Sequence, residues 1–168
     1  IDFLSGLLMW ATPQQHRGEE KTVADALAFG VDQLRGSMDN QPALHARLLY
    51  MLGKMYSQRR ERERARSLYE ESYALLKGDR GADPGLLADV AYGIAAQLAD
   101  ADSRPRSLAL VEEAMHLYGD RASQAERRIH AWRLKAIRLN QDGQVERAIA
   151  ENRAALASAL ERLGPDNA

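Results

Sequence analysis

The stretch from Ala46 to Asp79, ARLLYMLGKMYSQRRERERARSLYEESYALLKGD, decides how this chain folds. Leu49, Leu52 and Tyr56 recur at steps of three and four, the spacing that lines one face of an α-helix. The apolar run begins earlier, at Leu44 and Leu48. It stands behind Pro42, which suits a first helical turn because its missing N–H has no partner there. Arg59 to Glu63 is wholly charged and reads as a turn. Ala65, Tyr69, Ser72 and Leu76 then resume helical spacing, so Ala65 to Leu76 is the partner helix. Gly53 and Ala65 are small where two antiparallel helices would cross, and Leu49, Tyr56 and Tyr69 fill the space alongside.

Two further copies of this hairpin follow. Gly78, Gly81 and Pro84 interrupt the pattern. Leu86 to Ala99, a turn at Asp100 to Arg104, and Pro105 to Tyr118 form the second pair. Ser123 to Asn140 and Gln144 to Leu163, joined by Gln141-Asp142-Gly143, form the third. Aligned from Ala46, Ala88 and Ile129, the copies repeat at about forty residues. The second places Ile94, Ala95, Leu98, Ser107, Val111 and Ala114 at the matching steps. The third places Trp132, Ala136, Leu139, Ala148 and Ala155 there, with Lys135 and Asn152 where apolar residues are expected. Small residues recur at each crossing: Gly53 with Ala65, Ala95 with Ser107, Ala136 with Ala148. No alternating run reads as strand, and Asp142-Gly143 joins two helical stripes. The expectation is an all-α chain. An ordinary antiparallel bundle with recurring alanines is the bland alternative to a true repeat.

Leu49, Leu52, Gly53, Tyr56, Ala65, Tyr69 and Ser72 resemble the tetratricopeptide repeat, W-x2-L-G-x2-Y followed by A-x3-F. The longer period is similar to that of kinesin light chains and many bacterial sensors, whose linkers carry Leu-Gly-Pro-Asp. Leu163-Gly164-Pro165-Asp166-Asn167 resembles the opening of such a linker, and Arg80-Gly81-Ala82-Asp83-Pro84 is a weaker echo. The resemblance implies a right-handed α-solenoid of stacked helical pairs that binds a protein or peptide in a concave groove. One hairpin cannot bury both of its faces, so neighbouring pairs must stack. Repeats are expected at about 46–79, 88–121 and 129–162, within an array covering 42–168.

Residues 1–41 read as a separate amino-terminal helical segment, either a degenerate repeat or a juxtamembrane part. Ile1 to Trp10 is apolar but shorter than the roughly 20 residues a membrane helix needs, and it lacks the basic start of a signal peptide. It is either a short packed helix or the tail of a longer apolar segment. Thr22 precedes a helix whose stripe is Val23, Leu27, Val31 and Leu34. Phe3-Leu4, Leu7-Leu8, Pro13, Arg17-Gly18, Thr22, Leu27 and Gly30-Val31 resemble the segment after the membrane helix in certain bacterial serine/threonine kinases. That resemblance implies a membrane-anchored parent with this part on the periplasmic side of the inner membrane. The sequence departs from it at Leu8-Met9, and it contains no kinase motif. The alternatives are a cytoplasmic scaffold, a regulatory domain of a transcription regulator, and a small-molecule sensor.

Composition narrows the choices. Twenty-three Lys and Arg against 24 Asp and Glu leave a net charge of −1, so no global field draws the chain to nucleic acid or an anionic membrane. Membrane association is expected only through an anchor in the parent chain. With no cysteine, disulfides, thiolate catalysis and cysteine-ligated zinc are excluded. His16, His45, His116 and His130 form no metal-ligand spacing, and no nucleophile elbow, phosphate loop or H-E-x-x-H occurs. Neither enzymatic activity nor a cofactor or metal is expected. Arg59 to Arg66 alternates with Glu61 and Glu63 and reads as a self-compensating, solvated face rather than a nucleic-acid patch.

Projecting the first helix of each pair inward gives the candidate groove. It comprises Arg47, Tyr50, Lys54 and Ser57 from the first pair, and Asp89, Tyr92 and Ala96 from the second. His130, Arg133, Ile137 and Asn140 come from the third. Arg, Lys and Asn can grip a carboxylate, and the tyrosines add rigid apolar contact. Asp89 and Ala96 interrupt any likeness to the carboxylate clamp of chaperone-binding relatives. Val145, Ala148, Ile149, Ala155, Leu156, Ala159, Leu160 and Leu163 give the last helix more apolar surface than one stripe requires. Its expected cover is a further repeat, or a second copy forming a homodimer.

Overall fold

The computed structural model describes residues 41–163 together with Phe29. The amino-terminal expectations, Ile1 to Trp10 and the stripe from Val23 to Leu34, lie outside the described residues, as does the linker after Leu163. Among the described residues the structure is helical, with no strand. Six α-helices run in order: α1 (Pro42–Gln58), α2 (Arg62–Gly78), α3 (Pro84–Gln97), α4 (Arg104–Tyr118), α5 (Ala125–Gln141) and α6 (Val145–Leu163). A 3₁₀ turn (Ala122–Gln124) leads into α5.

The local causes are those the residues suggest. Pro42 stands at the start of α1 and Pro84 at the start of α3. The Asp83 carboxylate caps α3 by accepting from the Gly85 N–H at 2.8 Å. Helix α2 begins at Arg62, inside the expected turn, because α1 is closed more tightly than a five-residue loop requires. Arg60 adopts φ 63°, and the Glu61 N–H returns to the Tyr56 carbonyl at 3.0 Å, which brings the chain round within three residues. Gly143, at φ 75°, makes the same turn between α5 and α6.

Each helix packs chiefly on its sequence neighbours, from α1 on α2 through α5 on α6. In addition α1 touches α3, and α3 touches α5. The core recurs at the repeat spacing. Ala46 and Ala88 are buried, as are Gly53, Ala95 and Ala136; Tyr56, Leu98 and Leu139; Ala65, Ser107 and Ala148; and Ser72, Ala114 and Ala155. Ser107 sits at a crossing and donates from Oγ to the Ala95 carbonyl at 2.8 Å, so its hydroxyl is satisfied where a methyl would otherwise serve. The Tyr69 ring fills the space between α1 and α3: an added Cβ would stand 2.7 Å from it at Gly53 and 3.1 Å at Gly93.

Lys135 takes a half-buried position where an apolar residue was expected. Its ammonium reaches Glu112 on α4 at 3.1 Å and Glu151 on α6 at 2.7 Å, so the charge is neutralised across three helices. Asn152 is exposed.

Candidate functional site

The surface shared by α1, α3 and α5 holds the predicted groove residues, and Asp89 is its centre. Its carboxylate accepts from the Tyr118 hydroxyl at 2.8 Å and pairs with Arg127 at 3.3 Å. The Tyr50 hydroxyl faces the same group, and Lys54 lies within its field. One carboxylate therefore links α1, α3, α4 and α5. Burial raises the Asp89 pKa above the usual carboxylate range, while the Tyr118 hydrogen bond, Arg127 and Lys54 pull the other way. Burial, then Asp89, pushes the Tyr50 hydroxyl up to about 12. Asp89 is thus committed to internal partners and holds the face together, rather than standing open to a ligand.

Tyr50 is half-buried, its ring 5.9 Å from the Tyr69 ring, and the Lys54 ammonium lies 5.6 Å from the Tyr50 centroid. Ser57 accepts from Gln97 at 3.0 Å, a second bond between α1 and α3. Tyr92 is half-buried, and Arg133 and Arg138 both act on it, easing the rise that burial gives its pKa. His130 is exposed and lies 3.9 Å from Glu126, one turn away. Arg47, Arg133 and Asn140 are exposed, and no carboxylate pairs with Arg47 or Arg133 among the described residues. Ile137 adds an apolar side chain that is half exposed.

Tyr50, Lys54 and Asp89 are therefore brought together, and Tyr92 lies within the field of Arg133. Arg47, His130 and Asn140 share the helices of this face without a direct contact to that group. Asp89 and Tyr92 are less available to a partner than their helical positions suggested. Two residues the spacing did not single out matter as much. Arg127 supplies the cation to Asp89. Arg138 is 5% exposed and donates to Ser107 Oγ at 3.1 Å, to the Ala95 carbonyl at 3.3 Å and to Gln141 Oε1 at 3.1 Å. Its only sequence signal is a charge set between apolar Ile137 and Leu139. Burial lowers its pKa, and Arg62 and Arg104 add like-charge pressure.

The charged turn compensates itself: Arg59 and Arg64 both reach Glu61, at 2.9 and 2.8 Å, and Arg66 reaches Glu63 at 2.7 Å. Among the described residues, no three His, Asp or Glu side chains are grouped to hold a metal ion, and no helix is long and apolar enough to cross a membrane. The chain matches no protein-family model and no curated protein.

Proposed function

We propose that this chain is a tetratricopeptide-type array whose work is to hold another protein. Its helical pairs would wind as a right-handed α-solenoid, and an extended peptide or a partner helix would lie across α1, α3 and α5. The observation that carries this reading is the continuity of that face. The first helices of successive pairs touch, and Asp89 and the Ser57–Gln97 bond tie them into one surface. Pre-formed helices bind with little ordering entropy to lose. Arg47, Lys54 and Arg133 offer charge to a carboxylate, with Tyr50, Tyr92 and Ile137 as apolar contacts. The recurrence of buried small residues at the helix crossings supports the repeat assignment.

On the resemblance of Phe3 to Val31, the parent is inferred to be a membrane-anchored bacterial serine/threonine kinase with this part outside the inner membrane. Extending the sequence upstream of Ile1 tests that inference, since a membrane span requires roughly 20 apolar residues.

The binding reading is tested by affinity capture from bacterial envelope extract, comparing the intact chain with an Arg47→Ala, Lys54→Ala, Arg133→Ala triple variant. All three residues are exposed, so the variant should fold with an unchanged circular dichroism spectrum. A partner captured by the intact chain and lost with the variant supports the groove. A partner retained by both places the binding surface elsewhere.

A further inference from the structure

Helix α6 turns Ala148, Ala155, Ser158 and Ala159 to the core and leaves a second apolar stripe outside. Val145, Ile149, Leu156 and Leu160 are 45–54% exposed, and Asn152 completes their row at steps of four, three, four and four. Such a stripe on the last helix among the described residues is an interaction surface rather than scattered exposure.

Its pattern says what fits it. Val145 and Leu160 lie equally far from the midpoint between Asn152 and Arg153, and so do Ile149 and Leu156. The four apolar positions mirror one another along the helix, and Asn152 mirrors onto Arg153. Two α6 helices packed antiparallel about that midpoint set Val145 against Leu160 of the second copy, and Ile149 against its Leu156. Each contact then joins a β-branched side chain to a leucine. Asn152 and Arg153 flank the axis, one on each side, so each stands close to its own counterpart. A carboxamide has both donors and an acceptor, so two identical ones satisfy each other. A single Asn in an apolar seam is also a device that sets register. Antiparallel packing aligns the two helix dipoles favourably. Head-to-tail stacking on α1 fits less well. The exposed residues there, Leu44, Met51 and Met55, cover about three turns against about four on α6, and their row offers no polar group to Asn152.

We propose that α6 is a self-association face, and that its occupant is a second copy of this chain bound antiparallel through Val145, Ile149, Asn152, Leu156 and Leu160.

The chain contains no cysteine, so an introduced one is unique. Under mild oxidation, Asn152→Cys should cross-link two copies at least roughly tenfold faster than Ala74→Cys on the exposed side of α2, because pairing raises the effective concentration. Val145→Cys alone should not cross-link, its two copies being about 22 Å apart along antiparallel helices. Adding Ile149→Glu and Leu156→Glu to Asn152→Cys should abolish the cross-link and leave helicity unchanged, since both residues are exposed. In sedimentation, the unmodified chain should gain mass with concentration and the double glutamate variant should not. Equal cross-linking at Asn152→Cys and Ala74→Cys, or a single-copy mass at every concentration, overturns the proposal. Cross-linking at Val145→Cys as fast as at Asn152→Cys overturns the antiparallel register.

Discussion

Arg60 and Gly143 make the same left-handed turn at the ends of α1 and α5, with φ 63° and 75°. In each, the next N–H closes on a carbonyl five residues back: Glu61 on Tyr56 at 3.0 Å, and Gln144 on Leu139 at 2.9 Å. The turn is the Schellman closure usually built on glycine, and one of the two carries an arginine. The left-handed region costs a residue with a Cβ roughly 1 kcal/mol. Arg60→Gly should therefore stabilise the chain by about 0.5–1 kcal/mol, and Gly143→Ala should destabilise it by about 1 kcal/mol. Urea unfolding of the two variants checks the pair, and destabilisation by Arg60→Gly would count against the assigned turn.

Gly53 and Gly93 hold opposite sides of the Tyr69 ring at different clearances. The 2.7 Å approach at Gly53 forces a shift, whereas 3.1 Å at Gly93 asks the ring to give only a few tenths of an ångström. Overpacking costs about 1–3 kcal/mol, and the gain in helix propensity from Gly to Ala returns up to about 1 kcal/mol. Gly53→Ala should lower Tm clearly and Gly93→Ala much less. The reverse order in thermal unfolding would refute this account.

Arg138 is a buried cation held by neutral oxygens. Truncation to alanine removes three hydrogen bonds and leaves a cavity where α3, α4 and α5 meet, with an expected loss of roughly 2–4 kcal/mol. Methionine fills much of the volume without a charge to desolvate, so Arg138→Met should cost less than half as much. Equal losses in denaturant titration would mean that the charge, rather than the packing, stabilises this junction.

Asp89 supplies a pH dependence whose sign follows from its raised folded-state pKa. The folded chain holds this proton more tightly than the unfolded one, whose carboxyl titrates near 3.9. The associated stability is fully present below the unfolded value and is lost as pH rises through the folded value. Compared with Asp89→Asn, the unmodified chain should lose ground as pH rises from about 4 to 7. Paired Tm measurements across that range test it, and a difference growing in the other direction would exclude a raised value.

Helical spacing was enough to place the secondary structure. Apolar steps from Leu44 to Tyr56, the prolines in the first turns of α1, α3 and α4 and the glycines between pairs mark α1 to α6 to within a few residues. The buried small residues, Gly53 with Ala65, Ala95 with Ser107 and Ala136 with Ala148, were also legible, because close helix approach leaves room for nothing larger. Even the turn at Arg59 to Glu63 was visible, although its tightness was not.

The candidate face was legible only in outline. Periodicity identifies the residues on one side of a helix, but it carries no information on which charges meet across forty residues of chain. Asp89 was read as a groove residue, yet its contacts with Arg127 and Tyr118 depend on how α3 sits against α4 and α5. Arg138 was not singled out by the spacing, and it is the junction of three helices that encloses it. Lys135 looked like an error in the repeat until Glu112 and Glu151 closed around it. By itself the sequence determined the helices, their order and the small residues at their crossings, because these follow from backbone geometry and local steric demand. Only the tertiary structure decided which polar groups are committed inside and which remain outside, because desolvation and charge pairing depend on distances between helices remote in sequence.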